Sequence, residues 1–364
     1  MEELEAAPET STRGPLDVVR RILFHAVFAA TLGALLVLLA ALTYYHLGYR
    51  PQQAESLTPD VTRWAAAGVA APEKDTVRVL SINLNHGAPS FFDVEHGEVQ
   101  TLQASGISQR LDALADAVSR ENVDVVALQG VDFRCDFSGS MDQADYLASK
   151  LKFGYVVKAR TWKHPFLPFP RPLDRITLGE VDTGLAILSR LPLQEAERFA
   201  LPPETLEDWW QTTFAPQPAV LKAQVSSRGR HLVIYTTELT SGSVGARENQ
   251  ARAAGKVVAD TSGGRGLLVG TLFAEPALRR EGDASRMDVS YNLLRSRRNF
   301  APSFRDWEYF KDPAAFATFT AADGARRLAD YVLPERSIRV TKRFTPALAS
   351  PISPHDPQIV ELVL

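Results

Sequence analysis

Side chains able to do chemistry sit at or near the ends of several apolar runs in this sequence. Asn83 ends one such run, Asp132 closes a second, Glu238 a third and Thr271 a fourth. Asp330 and the triplet Pro354-His355-Asp356 lie towards the carboxyl end. Asp132, Glu238 and Asp356 offer carboxylate oxygens, the donors that a hard cation such as Mg²⁺ prefers. A cation held that way could clamp a phosphoryl group and assist attack by water. The run that organises the rest is residues 123–132, Val-Asp-Val-Val-Ala-Leu-Gln-Gly-Val-Asp. Its apolar body predicts a buried strand. Its Gln129-Gly130 exit predicts a sheet edge, where rigid backbone presents side chains to a ligand.

The elements around that strand must bring the other ends to it. Residues 76–83 alternate as a β-branched strand that runs into a polar turn; taken alone, an asparagine there reads as turn chemistry. Leu111, Leu114, Ala115 and Val118 recur at helical spacing and predict a helix over 107–120. A second amphipathic helix is predicted from Asp142 to about residue 151, and Arg247, Asn249 and Gln250 open a third. Further strands are predicted at 183–193, 231–239, 266–273, 327–333 and 359–364, the last closing the sheet. Residues 159–172, rich in proline and aromatics, predict a loop over a sheet edge, or else a ligand or lipid lip. The arginine-rich stretch 279–305, partly neutralised by Glu281, Asp283 and Asp288, reads as a mixed solvated surface. Its sharper reading is contact with an anionic lipid or polyanion.

With 364 residues, 45% hydrophobic and 23% charged, the chain holds one large domain or two ordinary ones. A formal net charge of -3 gives no global attraction to nucleic acid, which is not an expected partner. The single cysteine, Cys135, excludes an internal disulfide and a cysteine zinc cluster. Residues 1–21 form a short polar tail. Residues 22–45 carry no formal charge, and about 20 helical residues cross a bilayer, which predicts an uncleaved single-pass anchor. Arg13, Arg20 and Arg21 precede it, so the positive-inside rule predicts a cytoplasmic amino terminus and an extracytoplasmic main domain. Residues 46–74 read as a membrane-proximal linker with one short helix near 61–66, and 75–364 as the folded domain.

Taken in order, these stretches resemble the endonuclease/exonuclease/phosphatase superfamily over about residues 76–364. The resemblance rests on Asn83, on the Leu128-Gln129 strand end, and on Gly184-Leu185-Ala186-Ile187-Leu188-Ser189-Arg190. It rests also on Arg327-Leu328-Ala329-Asp330-Tyr331 and Ser353-Pro354-His355-Asp356-Pro357. The Asp142-Gln143-Ala144 element is similar to a branch with membrane-associated bacterial members. The implied fold class is α/β (α+β), a four-layer α/β/β/α sandwich of two packed β-sheets behind one N-terminal transmembrane helix. Composition and periodicity alone give only a mixed α and β protein.

The resemblance implies metal-assisted phosphoester hydrolysis. Asn83, Asp330 and His355 keep family positions and are the candidate catalytic remnants. The family's metal-binding glutamate is Gly130 here; Thr236 and Glu238 replace the Asn and His of a phosphate-contacting strand end. Thr271 and Phe273 replace the base and its orienting asparagine, and Pro354 removes a further acidic residue. A carboxylate such as Glu238 repels a phosphate, and a threonine hydroxyl is a poor base. Losing even one electrostatic donor costs about 10²–10³ in rate. The expectation is a membrane-tethered pseudoenzyme with no cofactor, whose cleft binds a phosphorylated small molecule, a lipid headgroup or a protein partner. The alternative is an active Mg²⁺- or Mn²⁺-dependent hydrolase rewired onto Glu238, Asp132 and Asp356. Asp132 would share a face with residue 130 if the strand continued.

Overall fold

The computed structural model describes residues 14–47, 51–66, 73–89, 104–167, 179–205, 214–276, 288–297, 300–301, 304–349 and 351–364. The chain divides into two compact units, Met1–Gly48 and Tyr49–Leu364. Within the first lies the helix Pro15–Leu47. Proline suits its first position, where the N–H would be unpaired anyway, and Asp17 faces the positive end of the dipole. The stretch Pro15–Tyr44 is long and apolar enough to cross a membrane, and none of it is buried.

The second unit is built on two mixed sheets. A seven-stranded sheet runs in the order β14 (Arg339–Phe344), β15 (Gln358–Val363), β3 (Thr76–Asn83), β4 (Val125–Asp132), β6 (Gly179–Ser189), β5 (Tyr155–Leu167), β2 (Asp60–Val61). A six-stranded sheet runs β1 (Ala54–Leu57), β7 (Leu193–Ala200), β8 (Ala219–Ser227), β9 (Arg230–Glu238), β10 (Gly266–Thr271), β13 (Asp330–Pro334). A small hairpin, β11 (Phe319–Thr320) with β12 (Arg326–Arg327), stands beside them.

Successive strand side chains point to opposite faces, and here both faces are buried. Val77, Val79, Val125 and Ala127 meet Ile234, Val269 and Val332 between the sheets. Their neighbours Leu80, Ile82, Val126 and Leu128 pack outward under the helices Ala104–Arg120 and Gln143–Leu151. On the other side Val233, Tyr235 and Leu268 pack under Val244–Thr261 and Ser290–Arg297. The four layers are helix, sheet, sheet, helix.

Three elements differ from expectation. The segment expected as a linker is partly strand: β1 pairs with β7 and β2 with β5, so it extends both sheets. Gln53 O accepts from Ala200 N, and the fully buried Arg198 donates to Gln52 O. Strands this short carry no readable periodicity. The first part of the proline-aromatic stretch is the end of β5; its remainder, 168–172, lies outside the described residues, as do 279–287 of the arginine-rich stretch. Strand β15 lies between β3 and an edge strand, β14, whose Arg-Val-Thr-Lys-Arg-Phe sequence is mostly exposed. A chain starting at residue 75 is therefore expected to aggregate, or unfold at clearly lower urea, compared with one starting at Tyr49. Equal urea midpoints and soluble yields for the two would show that β1 and β2 add nothing.

Candidate functional site

The alternation that builds the inter-sheet core continues to the strand ends and there turns polar. Asn83 extends the inward row of Val77 and Val79, Glu238 that of Ile234, Thr271 that of Val269, and Asp330 that of Val332. Register does the rest. Thr271 is opposite Glu238 on one side and Asp330 on the other, while Asn83 lies opposite Gln129 in the facing sheet. Gln129 spans the gap, donating from Nε2 to Thr236 Oγ1 at 2.7 Å.

These residues form one hydrogen-bonded chain. Asn85 N–H donates to Asn83 Oδ1 at 2.9 Å. Asn83 Nδ2 donates to Glu238 Oε1 at 2.7 Å and to Thr271 Oγ1 at 3.1 Å. The Thr271 hydroxyl donates to Asp330 Oδ1 at 2.7 Å, and His355 Nδ1 donates to the same carboxylate at 2.9–3.0 Å. Asn83, Asp330 and His355, the predicted remnants, are thus brought together, and Glu238 and Thr271 link them. His355 is only 2% exposed. Phe273 and Phe319 pack on it, with ring centroids 5.8 and 4.5 Å away.

Phe273 holds a left-handed φ of 47°, a conformation that asparagine tolerates better than an aromatic residue. A cleft of about 800 Å³, lined by Ser241, Arg247, Phe273, Asp288, Phe319 and Arg327 among others, lies against these two rings. Phe273→Asn is expected to relieve that strain and open the cover. His355 should then react with diethyl pyrocarbonate, read by peptide mass, whereas the parent resists. Equal protection in both would mean the ring does not shield it.

The donor set does not fit a divalent cation. The side-chain oxygen of Asn83, the ligand oxygen in this row with no charge of its own, is taken by Asn85 N–H. Turning the amide over would set Nδ2 against that N–H and Oδ1 against the Glu238 carboxylate, so its neighbours fix it. Asp330 already accepts from both Thr271 and His355. Gly130 has φ 52°, and a Cβ there would meet Asn83 Oδ1 at 2.6 Å. Among the described residues no group of three or more His, Cys, Asp or Glu side chains is placed to hold a metal ion.

The carboxylates of the rewired alternative are not gathered. Pairing between β4 and β6 shifts register between Leu128 and Val131, which breaks the two-residue period linking 130 to 132. Asp132 turns instead to His86, whose Nδ1 lies 2.7 Å from Oδ1. Asp356 is paired with Arg326 beside the β11–β12 hairpin. Pro354 gives only its carbonyl, to Thr320 N. Cys135 is buried, and burial with the nearby Asp132 carboxylate pushes its thiol up, away from thiolate chemistry.

Sequence reasoning read the stretch after β3 as a polar turn and gave Asn85 and His86 no role. Asn85, His86 and Gly87 are all left-handed, with φ of 46, 60 and 80°. Gln143 pins the turn, donating to His86 O at 2.9 Å and accepting from Asp132 N at 3.2 Å. The signal available was the Asn-His-Gly triplet, since asparagine and glycine are the residues that enter αL at least cost.

Two packed mixed sheets between helices, with one polar site drawn from strand ends of both, define the class of α/β/β/α sandwiches. The profile of the endonuclease/exonuclease/phosphatase family matches residues 80–269, more than half of the chain, and the chain belongs to that family. Among solved structures it is similar to an endonuclease/exonuclease/phosphatase from Beutenbergia cavernae DSM 12333. The TM-score is 0.57 at 19% identity, over 80% of this chain and 72% of that one. A family protein from Bacteroides thetaiotaomicron gives 0.51 at 14%, over 79% and 98%. The mannosyl-6-phosphatase of Bacteroides thetaiotaomicron VPI-5482 gives 0.50 at 16%, over 79% and 100%. No curated protein matches in sequence.

Proposed function

We propose that this chain is a membrane-tethered member of the family that binds a phosphorylated ligand without hydrolysing it. The observation that carries the reading is the Asn83–Glu238 hydrogen bond over Gly130. Asn83 Oδ1 is taken by Asn85 N–H and Glu238 Oε1 by Asn83, and that same Asn83 oxygen stands where a Cβ on the left-handed Gly130 would go. Little catalysis is expected without metal, base and phosphate-contacting histidine, because each supplies charge stabilisation that water cannot. The helix Pro15–Leu47 supplies the tether, and Arg20 and Arg21 near its start favour a cytoplasmic amino terminus.

The test is calorimetric titration of the full chain in neutral detergent with Mg²⁺ and Mn²⁺, alongside turnover assays. Substrates would be a generic phosphodiester, a sphingomyelin-like lipid and mannose 6-phosphate, the last suggested by a structural neighbour. No metal uptake and no turnover are expected. Metal-dependent turnover abolished by Glu238→Gln would establish the rewired hydrolase instead.

A further inference from the structure

The chain enters its folded unit at the same end as the strand-end site. Register shows it in one row across the six-stranded sheet. Ala54 lies opposite Phe199, Phe199 opposite Val220, Val220 opposite Thr237, Thr237 opposite Gly270, and Gly270 opposite Tyr331. One residue further the same way stand Glu238, Thr271 and Asp330 on the site strands, and Gln53 on the entering one. Neighbouring strands lie about 4.8 Å apart, which puts Gln53 about 14–19 Å from the backbone of Glu238 and Thr271. The entry is clamped. Gln53 Nε2 donates to Ala200 O at 3.2 Å. Buried Arg198 donates to Gln52 O at 3.5 Å, to Gln217 O at 3.0 Å and to Arg160 O of β5 at 2.7 Å, which ties the entry to both sheets.

Covalent geometry then restricts which end of the unit can rest on a bilayer. By sequence only residues 48–50 separate Leu47, the last residue of the helix, from Pro51. The Cα atoms of Leu47 and Pro51 can be no more than about 14 Å apart, whatever path the chain takes. The opposite end of the sandwich is further off. Strand β9 runs from Arg230 to Glu238, and at about 3.3 Å per residue that is about 26 Å. So short a connection cannot leave the membrane at one end of the unit and enter at the other. The far end cannot rest on the bilayer, whereas the site end can.

Building on the reading of a tethered, non-hydrolytic family member, we infer that the strand-end site faces the membrane its own helix spans, and that its ligand is a phospholipid headgroup of that membrane. The cleft at this end is lined by Phe273 and Phe319 together with Arg247 and Arg327, which are paired with Asp288 and Asp323. Rings beside ion pairs give apolar and polar contact side by side. A headgroup joined to a glycerol backbone uses both; a bare phosphate uses only the second. A ligand carried in the same bilayer is also presented at high effective concentration, so modest contacts suffice to fill the site.

The test uses the full chain in lipid nanodiscs. Cys135, the one native cysteine, is buried, so a cysteine introduced at an exposed position takes a fluorescent label alone. Ser241→Cys and Ala322→Cys report on the cleft end, and Arg336→Cys, just past the end of β13, on the far end. Lipids with a nitroxide headgroup are expected to quench both cleft-end labels and spare the third. Equal quenching at all three positions, quenching at Arg336→Cys alone, or none anywhere would overturn the orientation. For the ligand, phosphatidylcholine discs are doped with phosphatidic acid, phosphatidylglycerol or phosphatidylinositol, and acrylamide quenching of the Ser241→Cys label is followed. Protection by at least one of these lipids is expected, and none by dissolved glycerol 3-phosphate. Protection by glycerol 3-phosphate, or by nothing, would overturn the lipid assignment. A chain that does not enter discs would sink the tether instead. Headgroup release from disc lipid would sink the non-hydrolytic reading and leave the orientation standing.

Discussion

Gly130→Glu is expected to destabilise the protein rather than restore a metal ligand. A simple reversion argument predicts the opposite, because the family places glutamate at this position. Two features of the structure set the sign. A side chain at φ 52° sits in the left-handed region, which costs about 1–2 kcal/mol for a non-glycine residue. Its Cβ would also stand 2.6 Å from Asn83 Oδ1, closer than atoms pack, so Asn83 must leave. That breaks the bonds to Asn85, Glu238 and Thr271 together. The sum is about 3 kcal/mol or more, in the range of the most damaging single substitutions. Gly130→Ala should carry most of it, since the clash begins at Cβ. Urea unfolding of both variants decides the matter. A Gly130→Glu protein as stable as the parent and able to take up Mg²⁺ would mean the strand end relaxes freely, and the pseudoenzyme reading would lose its main support.

Asp330→Ala is expected to cost about 3–5 kcal/mol, the loss typical of breaking one side of a buried pair. Asp330 is 5% exposed and is the acceptor for both Thr271 Oγ1 and His355 Nδ1. Removing it strands two donors where water does not reach them, which is dearer than losing a surface hydrogen bond. Asp330→Asn should fall between, because its carbonyl can still accept from one of the two. In an active relative the same change would be read through rate; here the expected readout is the unfolding midpoint. A midpoint within a few tenths of a kcal/mol of the parent would show the pair to be wet and loosely held, and the buried chain of hydrogen bonds would have to be redrawn.

Much of this fold was legible because most of its strands are buried on both faces. Strands β3, β4, β6, β9 and β10 announce themselves as short apolar runs, and their polar ends point to the site. Strand β14 did not, since an edge strand of arginine, lysine and threonine looks like any solvated loop. Strands β1 and β2 are too short for a period to emerge. At the site, Asn83, Asp330 and His355 could be picked out as strand-end residues, but their burial could not. Phe273 reads in sequence as a residue with no polar group; in the structure it packs on His355. Gly130 reads as a carboxylate lost. Its backbone conformation and the register shift beside it depend on pairing with β6, which no local pattern encodes. Asp132 shares a face with residue 130 only if the strand continues; the same register shift turns it to His86, which lies in a left-handed turn invisible to periodicity.

The way β1 and β2 are stitched into separate sheets also limits where the chain can be cut without damage to the fold. A protease working between Leu47, where the helix ends, and Gln52, whose carbonyl Arg198 holds, would release an intact folded unit. Cleavage a few residues further on would strip an edge from each sheet and leave raw hydrogen-bonding rims on the fragment. An intact folded unit can therefore be cut free only through a very narrow window of scissile bonds.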